Sequence, residues 1–152
     1  MSIRDRIREL RDQELFSLSP EDGGESIRAI FASWEVFSDF RGPFEHHHTA
    51  YRLSLFRGEL DGFTRESWVS ISDDPYNKKP WAFFAPVGPI ELGMWDIRST
   101  GDKPQIRCFG GCAEKDTFIA LTWMWRDDIE TFSAEALECR RCWDKLFPNH
   151  PP

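Results

Sequence analysis

The sequence predicts an α+β fold in one domain spanning residues 1–152. N-terminal helices lead into an antiparallel meander of four to five strands, and a C-terminal helix packs on that sheet. Three observations carry this: 3- and 4-residue apolar spacing before residue 45, strand-like stretches joined by very short connections after residue 80, and a terminal amphipathic helix that ends in "PNHPP". With 40% apolar residues, including 13 Phe and 7 Trp, the chain has enough bulk for a core of its own. No repeat is visible.

"SIRDRIRELRDQEL" sets Ile3, Ile7 and Leu10 on one stripe, a short helix with Ser2 as its N-cap. After the break "SPEDGG", residues Ile27, Ile30, Phe31, Trp34 and Phe37 keep helical spacing up to Gly42-Pro43, which predicts one core-facing helix over 25–40 and a helical N-terminal part over 1–45. "PFEHHHTAYRLSLFRGELDGF" fits either element, because Tyr51, Leu53 and Leu55 alternate like a strand. "DDPYNKKP" is a turn-rich connector.

The sheet and its helix occupy 80–147. "WAFFAPV", "IELGMWDIRS", "PQIRCFGG" and "TFIALTWMWR" are separated by "TGDK" and "AEKD", connections too short for a parallel crossover. "SAEALECRRCWDKLF" then reads as a helix capped by Ser133, with Ala136, Cys139, Trp143, Leu146 and Phe147 on one face.

Alternation across these strands gathers Trp95, Ile97, Ile106, Cys108, Ile119, Leu121, Trp123 and Trp125 on the buried face. The other face then carries Asp96, Arg98, Arg107, Thr122 and Arg126. Three arginines from successive strands make an anion or phosphate site, since the guanidinium fork pairs bidentately with phosphate oxygens. The plainer alternative pairs them with Asp96, Asp127 and Asp128 on an ordinary solvated face.

Net charge is -7, which argues against a non-specific nucleic-acid binder while leaving room for a local basic site. No apolar run reaches the roughly 18 residues of a membrane span, and the charged N-terminus is unlike a signal peptide, so a cytoplasmic protein is expected. In that reducing compartment the cysteines are free thiols or metal ligands. Cys108, Cys112, Cys139 and Cys142 supply the four thiols of a structural zinc site, although the second pair lies within a helix. The competing reading makes Cys108 and Cys139 small buried hydrophobes. His46, His47 and His48 are adjacent and point apart on either element, which favours a surface loop, or one core histidine with two exposed, over a metal site.

The segments "GMWDIR", "IRCF", "FIALTW" and "AEALECRR", within residues 88–147, resemble the sheet and terminal helix of RelE/ParE-like toxins, especially their phage-derived branch. The resemblance implies a toxin of a toxin–antitoxin system that acts on translated mRNA or the ribosome and has an antitoxin as its partner. By position Arg98 and Arg107 match the family's strand arginines, and Arg126 follows the third strand where the family has a basic residue. The chain departs from the pattern in three respects. It reads "RDD" where the family has Lys-Lys, its net charge is acidic, and its predicted N-terminal helices stand where the family begins with a strand and a helical hairpin. Endonucleolytic cleavage without a metal would need a base for the 2′-hydroxyl and cations for the phosphate. The arginines supply only the second; the four histidines lie outside the matched segments, and Lys115 sits on a turn. The alternative function is a non-enzymatic, zinc-stabilised module that binds a protein partner through exposed aromatics.

Overall fold

The computed structural model describes the chain except for residues 19, 21–23, 45–47, 67 and 100. Among the described residues a mixed sheet of six strands runs in the order β1-β2-β6-β5-β4-β3, with four α-helices. The strands are β1 Phe16–Ser17, β2 Ala29–Ala32, β3 Phe84–Pro86, β4 Trp95–Arg98, β5 Ile106–Glu114 and β6 Thr117–Trp125. The helices are α1 Ile3–Leu10, α2 Trp34–Phe40, α3 His48–Arg65 and α4 Phe132–Leu146.

The antiparallel meander is present as β3-β4-β5-β6. The expected helix over 25–40 is corrected: residues 29–32 form β2, paired in parallel with β6, and Ser33 then caps α2 by accepting a hydrogen bond from the Val36 amide at 3.3 Å. Pairing with β6 overrides the helical spacing, because it puts Ile30 and Ala32 into one core and Phe31 against the other. The ambiguous stretch after residue 48 is helix α3. Phe56, Leu60 and Phe63 recur at helical spacing along its buried face, while Tyr51 and Leu55 look outward. Ser2 caps α1 in a reciprocal box with Asp5, as the sequence predicts, whereas α4 begins earlier than predicted, with Thr131 rather than Ser133 as its cap.

Helices cover the sheet on both faces. On one side α2 and α3 pack Val36, Phe40, Phe56, Leu60 and Phe63 against Ile30, Phe84, Ile97 and Cys108. On the other, α1 and α4 pack Ile7, Leu10, Cys139 and Trp143 against Phe109, Ile119 and Leu121. The predicted single buried face of β6 is therefore split by a bulge. Gly110 pairs with Ala120 but Phe109 pairs with Thr122, so one residue of β6 is extra and the alternation flips. Ile119 and Leu121 point to α1 and α4, while Trp123 and Trp125 join Phe118 and Ala120 on the side of α2 and α3.

The Gly-Gly of "RCFGGC" serves this bulge and its neighbour. A Cβ on Gly110 would lie 1.9 Å from the Ile119 carbonyl oxygen, and one on Gly111 would lie 2.9 Å from the Trp143 ring. Both positions need glycine for close approach.

Candidate anion site

Asp96 and Arg98 project from the same side of β4, since side chains two apart on a strand share a face. Arg98 is the cross-strand partner of Arg107 on β5, and Arg126 opens the 3₁₀ turn that follows β6. The structure thus brings together the three arginines that the sequence singles out. Arg98 and Arg126 line a cavity of about 660 Å³ with Pro75, Tyr76, Lys78, Pro89, Phe132 and Ser133. Arg107 lies behind them, 4% exposed.

Asp96 is fully buried, and among the described residues neither of its carboxylate oxygens makes a hydrogen bond. Lys78 stands closest, its Nζ 3.5 Å from Oδ1. Burial pushes the Asp96 carboxyl up, against the pull of Lys78, Arg98 and Arg107. Burial in turn lowers Lys78 and Arg98, and it lowers Arg107 to about 10 with Arg98 adding to the effect. Three cations, Lys78, Arg98 and Arg107, therefore stand around a single buried carboxylate, with Arg126 next to the two arginines, so the site is electropositive inside an acidic protein.

The donors are held in place. Arg98 Nη1 donates to the carbonyls of Lys79 and Ala82 at 3.2 Å each. Arg107 Nη1 donates to the carbonyls of Ser99 and Ile106, and its Nη2 to Gln105 Oε1. Lys78 Nζ and Arg126 Cζ rest 4.7 and 4.9 Å from the centre of the Phe132 ring, the first residue of α4. That helix turns its N-terminus to the cavity through Phe132 and Ser133, which adds the positive end of its dipole. Guanidinium and ammonium groups in such a constellation are chemically suited to pair with oxyanions.

Of the expected acidic partners only Asp96 acts on Arg98 and Arg107, and it does so from a buried position, whereas Arg126 is exposed. Asp96 is shut from water, and Asp127 and Asp128 are exposed, with no ion pair to these arginines among the described residues. Sequence reasoning missed Lys78, Tyr76 and Phe132, because their segments looked like a connector and a helix start. The only hint was the pair of lysines in "DDPYNKKP".

The other candidates lie elsewhere. Cys108 and Cys112 belong to the core under α2 and α3, whereas Cys139 and Cys142 belong to the core under α4 on the opposite side of the sheet. Burial pushes all four thiols up, Cys112 to about 11, which disfavours the thiolate that binds metal. Among the described residues no group of three or more His, Cys, Asp or Glu side chains is placed to hold a metal ion. Lys115 lines a different cavity with Arg28, Cys112 and Asp116. His46 and His47 lie outside the described residues, and of His48 only the backbone, at the start of α3, is described. Among the described residues no helix is long and apolar enough to cross a membrane.

Comparison with protein-family models, with curated proteins and with solved structures finds no match.

Proposed function

We propose that the chain acts on RNA as a RelE/ParE-like toxin, with the cavity lined by Lys78, Arg98 and Arg126, and backed by Arg107, receiving the RNA phosphate. The observation that carries this reading is the convergence of Lys78, Arg98 and Arg107 around one buried carboxylate, with Arg126 beside them at the N-terminus of α4. Chain order supports it as well. The run β2-α2-α3-β3-β4-β5-β6-α4 contains a strand, two helices, an antiparallel meander and a terminal helix in the order the resemblance implies, while α1 and β1 precede that run and β3 extends its sheet. The acidic remainder of the surface confines phosphate binding to this cavity and works against indiscriminate adhesion to nucleic acid.

The test is host growth. Expression of the unaltered chain should arrest it, and folded Arg98→Ala and Arg107→Ala variants should not. Unaffected growth at good expression of the unaltered chain would sink the toxin reading.

A further inference from the structure

A second cavity, of about 490 Å³, lies along α3 and shares no residue with the anion site. Gly58 and Gly62 keep its helix side open, four residues apart and so on one face of α3. A Cβ on Gly58 would meet nothing within 4 Å, and one on Gly62 would meet only the Glu66 carboxylate, its Oε1 at 3.7 Å. Phe63, Phe83 and the exposed Trp68 supply aromatic walls. The Ser70 hydroxyl is already used, since it donates to the Trp81 carbonyl at 3.0 Å and accepts from the Phe83 amide at 3.1 Å. The polar side chains left to a ligand are therefore two carboxylates, Glu59 and Glu66, and among the described residues no lysine, arginine or histidine lines the cavity.

Glu59 lacks a counterpart. Its Oε2 is buried and accepts no hydrogen bond among the described residues, and burial by itself lifts the carboxyl to about 7. The charged groups around it do not offset this. Arg28 gives its guanidinium to the carbonyls of Phe63 and Glu66 and lies 5.3 Å from the centre of the Phe63 ring. Arg52 and Asp102 meet Glu59 in a separate space of about 40 Å³, and neither shifts its carboxyl. Small-molecule sites are concave and mostly apolar, with a few fixed polar groups. A buried carboxylate without a counter-ion is completed by a cation that also donates hydrogen bonds, and aromatic faces favour the same charge.

We propose that this cavity binds a small primary amine with an apolar body, the ammonium group paired with Glu59 and the body against Phe63, Phe83 and Trp68. An alcohol would bring a donor without the charge, and a quaternary ammonium the charge without a donor. The site stands apart from the RNA reading, because none of the arginines of the anion cavity takes part in it. Pairing with the ammonium holds Glu59 ionised, so binding expels the carboxyl proton. Affinity then rises as pH climbs through about 7, a range in which the amine itself stays charged.

Titration calorimetry of the full chain with phenethylammonium chloride tests this. One amine should bind per chain, with Kd falling about tenfold between pH 6 and pH 8. At pH 8, 2-phenylethanol and the N-trimethyl derivative should each bind about tenfold more weakly or worse. Glu59→Gln should bind the amine with a similar loss and without the pH dependence. Gly58→Leu, which fills the open space beside the helix, should remove binding from a folded protein. No saturable binding up to about 10 mM amine would overturn the proposal. So would an alcohol that binds as tightly as the amine, or a Glu59→Gln variant that keeps the pH slope. If Glu59→Gln does not fold, the pH slope and the alcohol comparison on the unaltered chain decide.

Discussion

Arg98 and Arg107 face each other as cross-strand partners on β4 and β5, two like charges brought together next to a carboxylate that water does not reach. Like charges placed directly opposite destabilise a sheet. The arrangement holds because Asp96 lies on the same strand face as Arg98 and attracts both arginines and Lys78. A sheet under no demand but stability would place apolar side chains there, so the cluster is evidence for a ligand of opposite charge.

Asp96→Asn should therefore cost more than a surface substitution does. Removing the carboxylate charge leaves Lys78, Arg98 and Arg107 buried without compensation, and breaking a buried pair in this way costs about 3–5 kcal/mol. Urea unfolding of the two proteins measures it. A loss below about 1 kcal/mol, the scale of exposed pairs, would mean that water already screens the cations.

Two glycines should respond to alanine with opposite sign. At Gly110 the new Cβ would sit 1.9 Å from the Ile119 carbonyl oxygen, inside the bulge that turns Ile119 and Leu121 to one core and Trp123 to the other. Backbone must move, and the expected loss is about 3 kcal/mol or more. At Gly58, within α3, a Cβ meets nothing within 4 Å. Gly58→Ala should raise stability by about 0.5–1 kcal/mol, because glycine is the poorer helix former. Thermal unfolding of both variants checks the pair, and a tolerated Gly110→Ala would contradict the register of β5 on β6.

The bulge also explains what was legible in the sequence and what was not. Up to Phe109, alternation places Asp96, Arg98 and Arg107 on one side and Trp95, Ile97 and Cys108 on the other, so the arginine side of the site follows from period two alone. Beyond it the same rule misplaces Ile119 and Leu121, because one extra residue in β6 inverts the alternation and leaves no mark except Gly-Gly on the partner strand. β2 was hidden for a different reason. Its four residues satisfy helical spacing, and only the long-range partner β6 makes them a strand. Lys78 was illegible because the connector that carries it folds back over β4, a tertiary event that local composition does not encode.

Stability should fall with rising pH through Glu59. Burial in α3 raises its carboxyl from 4.5 to about 7, and Oε2 has no hydrogen-bond partner among the described residues. A folded-state pKa above the unfolded one means that the native protein binds the proton more tightly. The contribution of Glu59 is therefore fully present below about pH 4.5 and lost as pH climbs through about 7. Glu59→Gln should flatten the decline in Tm between about pH 5 and 8 that the unaltered chain shows. An identical decline in the variant would assign the dependence to other groups.

The cysteines give a prediction that separates a four-thiol staple from thiols divided between two cores. Cys108 and Cys139 are both inaccessible to solvent and lie on opposite sides of the sheet, while Cys112 and Cys142 are only partly covered. Since the thiolate is the reactive species, exposure and thiol pKa together set the order of attack. A chromogenic disulfide reagent added to the native protein should react first with Cys142, then with Cys112, whose thiol is raised to about 11, and with Cys108 and Cys139 only on unfolding. Variants with each cysteine replaced by serine assign the phases. Protein purified without chelator should then show metal well below one zinc per chain. One zinc together with four protected thiols would require Cys108 and Cys139 to meet across the sheet, and so would overturn the division of the molecule into two cores.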